Sequence, residues 1–292
     1  MSRVLVLGAL HHDVVVDAPR LPAVDETLPG TGVDYRFGGK GGNQAVAAAL
    51  MGASVSMAGR VGRDEAAVAI LSALNEAGVD RAGVLEADAP TGMSVAITLP
   101  SGDYGAVIVS GANLENDGNV FWNVPPATVL LQNEIPESAN LALVRRLPSE
   151  TLLIVNAAPA RPLPDDLAAR TDVLVLNRVE AEALTGATDP EDASRALEGL
   201  VRGTVVLTLG ADGAMLAHGG QVSHHPAFRV DVVSTHGAGD MFTGALAARL
   251  TDGEPMDQAL RFAQAAAALF VSAPIARRAE ITPVSVMSHL AD

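Results

Sequence analysis

Ser234-Thr235-His236-Gly237-Ala238-Gly239-Asp240-Met241-Phe242, followed without a break by Thr243-Gly244-Ala245-Leu246-Ala247-Ala248-Arg249-Leu250, is the stretch around which the chain is organised. A turn of small residues runs straight into a helix-forming segment, so main-chain N–H groups converge where the helix dipole is positive. Such a turn is built to hold an anion. Its last residue before the apolar run is a carboxylate, Asp240, which repels a bound phosphate and so needs another task there. Taking the proton of an attacking hydroxyl is the obvious one. The plainer alternative is that Asp240 caps the helix and that Gly-Ala-Gly is only a turn.

Upstream, apolar β-type runs alternate with helical segments: residues 128–132, 152–155, 173–176 and 204–207 stop respectively at Asn133-Glu134, Asn156, Asn177 and Thr208. This alternation predicts right-handed β-α-β units and a largely parallel sheet covered on both faces. The polar residues then line up at the carboxyl ends of strands, the ligand edge of an open α/β sheet. Asn177-Arg178-Val179-Glu180 adds an acid on the same helical face as the asparagine. A Mg²⁺ held mainly through water and substrate phosphates needs only one or two such groups, although Glu180 also suits an ordinary first helical turn. Thr208-Leu209-Gly210-Ala211-Asp212-Gly213 is a second glycine-bearing strand end, facing a nucleotide phosphate or merely turning the chain.

Near the start, Phe37-Gly38-Gly39-Lys40-Gly41-Gly42-Asn43-Gln44-Ala45 leads into an Ala-rich helix over residues 45–51. Its glycines let backbone approach a ligand, and Lys40 and Asn43 supply side-chain donors. A first strand over residues 3–10 ends at His11-His12-Asp13, which places His11 and Asp13 as substrate contacts at a strand end. A metal site there needs further ligands at sensible spacing, and none is visible. Residues 27–37 alternate and carry glycine, as a small edge sheet or flap does. Residues 91–98 and 104–110, joined through Gly102-Asp103, form a hairpin pattern. The two regions together make a flap, or alternatively an extension of the main sheet, and Gly111-Ala112-Asn113 leads back towards the cleft. Residues 54–59 read as a strand, 64–77 as a helix capped by Asp64, and 256–271 as a long helix, with Arg277 and Arg278 beyond Pro274.

With 292 residues and 49% hydrophobic content the chain is long enough for one large α/β domain, or one domain with a small appendage. The net charge of −15 excludes broad nucleic-acid or anionic-membrane binding and leaves room for a local cationic pocket. Without cysteine there are no disulfides, thiolate metal sites or thiol nucleophiles, which fits a cytoplasmic protein. The first residues carry no signal-peptide pattern, and the low-polarity stretch at 263–274 is too short for a bilayer.

These pieces together resemble the ribokinase family of ATP-dependent carbohydrate kinases over nearly the whole chain. The resemblance rests on Gly38-Gly39-Lys40-Gly41-Gly42-Asn43-Gln44, Asn156-Ala157-Ala158-Pro159-Ala160-Arg161, Asn177-Arg178-Val179-Glu180 and Gly237-Ala238-Gly239-Asp240 in this order and spacing. It implies a single Rossmann-like, three-layer α/β/α domain over residues 1–292, with a small β-sheet lid from about residues 11–37 and 91–110. It also implies transfer of the ATP γ-phosphoryl group to a sugar hydroxyl with Mg²⁺, D-ribose being the leading acceptor. Asp240 is then the catalytic base, and the N–H groups of Gly237, Ala238 and Gly239 the anion hole. His11, Asp13, Gly39, Lys40, Asn43 and Glu134 fall at positions that hold the sugar, Asn177, Thr208 and Gly210 at the nucleotide, and Glu180 at Mg²⁺ through water. Lids of this family often pair between subunits, which implies a homodimer.

Two departures stand out. His11 replaces the family's usual asparagine, which alters the hydrogen-bond pattern to the acceptor. Ser234-Thr235 replaces the usual Asp-Thr, whose acid helps hold a monovalent cation, and the Gly-Ala segment completing that cation site is missing around Ile275 to Glu280. K⁺ activation is therefore expected to be lost or weak, with Arg277 or Arg278 supplying the charge. A nucleoside kinase remains open, as does a catalytically silent sugar- or nucleotide-binding regulator. A dinucleotide oxidoreductase lacks its Gly-x-Gly-x-x-Gly after the first strand.

Overall fold

The computed structural model describes residues 4–101 and 104–291, so the expected turn at Gly102-Asp103 and the expected strand start at Arg3 lie outside the described residues. Along the chain run β1 (Val4–Leu7), β2 (His11–Asp17), β3 (Gly32–Gly38), α1 (Lys40–Leu50), β4 (Val55–Val61), α2 (Glu65–Glu76), β5 (Asp80–Glu86), β6 (Met93–Thr98), β7 (Tyr104–Val109) and β8 (Thr128–Leu131). There follow α3 (Glu137–Val144), β9 (Leu152–Asn156), α4 (Asp165–Ala168), β10 (Val173–Asn177), α5 (Arg178–Thr185), α6 (Pro190–Glu198), β11 (Thr204–Thr208), β12 (Ala214–His218), β13 (Gln221–His225), α7 (Ala238–Thr251), α8 (Met256–Ser272) and α9 (Pro283–Ala291).

Nine strands form one sheet in the order β13-β12-β11-β10-β9-β8-β1-β4-β5, parallel except for the β12-β13 end. Its inner strands are continuous apolar runs because both of their faces are covered. On β1, Val4 and Val6 join Leu246, Phe262 and Val286 on one side, while Leu5 and Leu7 join Leu143, Leu167 and Leu197 on the other. The same period of two recurs on β10, where Val173 and Val175 face one helical layer and Leu174 and Leu176 the opposite one. This is the three-layer α/β/α arrangement. The lid is a separate sheet, β3-β2-β6-β7, rather than an extension of the main one.

Two boundaries differ from expectation. β1 ends at Leu7, and His11 to Asp13 open the lid strand β2 instead of closing β1. The cause lies far along the chain: Asn113 accepts the Leu10 N–H at 2.9 Å and donates to the Leu10 carbonyl at 2.8 Å, which draws the segment out of the main sheet. Helix α1 begins at Lys40, five residues before the expected Ala45, in spite of its glycines. A Cβ on Gly41 would stand 2.7 Å from Gly8 Cα, so close packing outweighs the cost of glycine in a helix. The edge strands β5 and β13, with β12 beside the latter, and the helices α3 to α6 complete the layers. β12 and β13 meet at Gly219-Gly220, both with positive φ, the conformation of a tight hairpin turn.

Among the described residues no helix is long and apolar enough to cross a membrane.

Candidate active site

Helix α7 is buried from Met241 to Ala248 and packs along α1 at unusually short range. A Cβ on Gly244 would stand 2.6 Å from Ala47 Cβ and 2.7 Å from both Ala48 N and Gln44 O. Main chain therefore meets main chain, which brings the first turn of α1 against that of α7.

The turn before α7 ends in Gly237, whose φ of 79° favours glycine, and the first turn has no side-chain cap. The Ala238 N–H donates to the Thr235 carbonyl at 3.1 Å, closing the turn. Gly237, Ala238 and Gly239 all line one cavity, and a Cβ on Gly239 would meet nothing within 4 Å.

Asp240 is clamped. Asn43 Nδ2 donates to its Oδ2 at 3.2 Å and Gln44 Nε2 to its Oδ1 at 3.0 Å. Gln44 is fully buried and is itself fixed, donating to Asn156 Oδ1 at 2.9 Å and accepting from Gln132 Nε2 at 2.7 Å. Burial pushes the Asp240 carboxyl above the ordinary range, opposed by the Lys40 charge, the two amide donors and His236. Glu134 is likewise raised by burial, opposed by the Lys40 N–H and by the charges of His11 and Lys40. Glu180 is raised for the same first reason, with Asn177 and Lys40 opposing.

Lys40 is thus the cation shared by these three carboxylates. Its main-chain N–H donates to Glu134 Oε2 at 2.6 Å, and the residue lines the cavity. Asn177 and Glu180 form a reciprocal helix cap, Asn177 N–H to Glu180 Oε2 at 2.7 Å and Glu180 N–H to Asn177 Oδ1 at 3.0 Å.

A cavity of about 240 Å³ gathers Lys40, Asn156, Asn177, Glu180, Thr208 and the turn from Thr235 to Asp240. Three of the four polar strand ends therefore share one wall. Gly210 is not part of it; it opens the short turn Gly210–Asp212. A second cavity, of about 300 Å³, lies between Arg36, Phe37, Asn43, Leu50, Phe270 and Arg278, and Asp240 belongs to the walls of both.

His11, Asp13 and Gly39 line neither. Asp13 accepts from Ser94 at 2.7 Å and lies across Gly38, where a Cβ would be 2.1 Å from its Oδ2. His11 is only 4% exposed, and its Nε2 has no hydrogen-bond partner. Gly39 joins β3 to α1 at a φ of 85°, too close to Ala9 O for a side chain. Among the described residues no group of three or more His, Asp or Glu gathers as a metal nest.

The model of the pfkB family carbohydrate kinases matches residues 1–282. This chain belongs to that family. The kinase is 36% identical over 278 residues to the ribokinase of Bacillus subtilis (strain 168), covering 93% of both chains. It is 33% identical to the ribokinase of Haemophilus influenzae over 91% of each. Its fold superposes on the Thermotoga maritima ribokinase with a TM-score of 0.92 at 28% identity, and on the Arabidopsis thaliana ribokinase complexed with ribose and ATP with 0.91 at 29%, each over 100% of both chains. The kinase is a phosphotransferase with an alcohol group as acceptor.

Residue patterns alone passed over Gln44, Gln132, Ser94 and His236. A glutamine inside an Ala-rich run was the available sign for Gln44, since a buried amide there requires partners.

Proposed function

We propose that this kinase transfers the γ-phosphoryl group of ATP to a hydroxyl of D-ribose, giving ribose 5-phosphate. The observation that carries the reading is the clamped Asp240, held beside uncapped main-chain amides in a wall common to two cavities. In this reading Asp240 accepts the hydroxyl proton as the sugar oxygen bonds to phosphorus and ADP leaves. The amides of Gly237 and Gly239 stabilise charge on the transferring oxygens.

Asp13, Gly39, Asn43 and Glu134 hold the sugar, and the buried Nε2 of His11 supplies one more polar contact. Asn177 and Thr208 face the nucleotide, with Gly210 in the loop beyond. The lid, from about residues 11–37 and 91–110 of the single domain, excludes water when it covers the acceptor. The curated ribokinases and the ribose- and ATP-bound Arabidopsis relative support this assignment.

The electrostatics favour a divalent cation. Three desolvated carboxylates around a single lysine repel a triphosphate, and Mg²⁺ at Glu180 through water neutralises that repulsion when bound. ATP supply and the absence of cysteine suit the cytoplasm.

A second reading has one observation in its favour. The cavity beside Asp240 has Phe37, Val46, Leu50 and Phe270 in its walls, room for the base of a nucleoside acceptor. ADP release measured with D-ribose, other pentoses, hexoses and nucleosides separates the two. We expect kcat/KM for D-ribose to exceed that for any nucleoside by about 100-fold or more, a difference of about 3 kcal/mol in transition-state binding. The reverse order assigns the enzyme to nucleosides, and ADP release with none of them rejects the sugar-kinase reading.

We propose further that the enzyme pairs as a homodimer through the lid. Tyr35 pairs with Val14, Val14 with Val95 and Val95 with Val107, so these side chains share one face, opposite that of Asp13 and Ser94. Tyr35 and Val107 remain 62% and 68% exposed, an apolar strip suited to a second copy. Val107→Glu is expected to shift the sedimentation coefficient from dimer to monomer. An unchanged value, or a monomeric parent protein, removes this interface.

A further inference from the structure

The two arginines beyond Pro274 have different fates. Arg277 pairs in solvent with Glu280 at 2.9 Å. Arg278, in the turn Ile275–Glu280, is only 8% exposed. Its Nη1 donates to the His236 carbonyl at 2.8 Å and its Nη2 to the Ser234 carbonyl at 2.7 Å.

The guanidinium lies over the Phe270 ring at 4.2 Å, and the same ring packs against Gly237, 3.2 Å from where a Cβ would stand. One group thus fastens the turn by its carbonyls while its stacking partner fixes the residue that opens the anion site. Among the described residues no carboxylate pairs with Arg278, so its charge is met by carbonyl dipoles and a ring face. A guanidinium stays charged in such a place, where a lysine often would not.

Two carbonyls from alternate residues of the turn thus accept from one guanidinium, a pair of acceptors offered to a single cation. A monovalent metal ion does not fit here: Ser234 brings no carboxylate, and both carbonyls already accept from Arg278. We infer that Arg278 is a built-in cation that positions the anion-hole turn, making phosphoryl transfer independent of dissolved K⁺. The inference rests on the phosphotransfer reading above, but it can be measured separately from it.

The test compares KCl, NaCl and tetramethylammonium chloride at equal ionic strength, reading kcat and KM with D-ribose and, by calorimetry without sugar, ATP affinity. For the parent enzyme both kcat and ATP Kd are expected to agree within about twofold in all three salts. In tetramethylammonium, Arg278→Ala is expected to lose about tenfold or more in kcat and in ATP affinity. The KM for ribose should stay near the parent value, and added guanidinium ion should restore part of the loss.

Stimulation of the parent enzyme by K⁺ of about tenfold or more overturns the inference. So does a folded Arg278→Ala protein with parental kcat and ATP affinity in every salt. Should that variant not fold, the salt series on the parent enzyme decides. If ribose gives no product in any salt, the sugar assignment fails, while ATP calorimetry still decides the role of Arg278.

Discussion

Asp240→Asn is expected to lower kcat by about 10³-fold while leaving ATP affinity near its parental value, because a positioned general base contributes about 10²–10⁴. The amide keeps the shape and the neighbours but cannot take the proton. A variant retaining a tenth or more of the activity, by the order-of-magnitude scale of such effects, removes Asp240 from the chemistry.

The same substitution has a thermodynamic signature. Burial raises the Asp240 carboxyl in the folded state above its unfolded value of about 4, so the folded protein holds the proton more tightly. Folding stability from this group is therefore present at low pH and is lost as pH rises through the window between the two values. At neutral pH the ionised group is a liability, and Asp240→Asn relieves it. One of the two donors, Asn43 or Gln44, then loses its acceptor, which offsets part of the gain. Calorimetric melting should show the variant no less stable than the parent at neutral pH, with any advantage vanishing in acid. In the parent enzyme, kcat should fall on the acid side with an apparent pKa above the ordinary carboxylate range.

The second large effect belongs to Gly244→Val. A branched side chain has no space where a single Cβ would already stand 2.6 Å from Ala47 Cβ and 2.7 Å from main-chain atoms of α1. The helices must separate. Overpacking of this kind costs about 1–3 kcal/mol or more. The displaced α1 also carries Asn43 and Gln44 away from Asp240, and a shift near 1 Å costs about 10²-fold in rate. Denaturant titration and steady-state kinetics should show both losses together. Gly199→Ala, at a helix end with ordinary φ, where a Cβ would meet only the Ala196 O at 3.4 Å and the Arg195 O at 3.9 Å, should show neither. If Gly244→Val keeps parental kcat, the helix contact does not hold the base.

Where the residues could be read directly, the reason was burial. Central strands packed on both sides must be apolar until they reach the ligand edge, so Asn156, Asn177 and Thr208 announced a common wall before any coordinates. Edge strands obey no such rule, and the polar β5 and β13 left little periodic trace. His11 and Asp13 were misplaced on β1 because the apolar run passes through Gly8 without a break. The departure of the chain there is imposed by Asn113, 103 residues later than Leu10. Nor does local pattern tell one neighbouring arginine from the next: Arg277 and Arg278 differ only in what the fold puts beside them.

The lid strands come from two excursions, β2-β3 and β6-β7, each leaving and rejoining the main sheet's path in the first half of the chain. The turn before α7, the strand ends from β9 to β11 and Arg278 all come later. Between them stands α1, whose Asn43 and Gln44 hold Asp240 and whose Lys40 amide donates to Glu134. The molecule is in effect a changeable socket set on a constant engine. Libraries that rewrite the two excursions, while sparing residues 38–44, can retune acceptor choice without rebuilding the machinery that handles ATP.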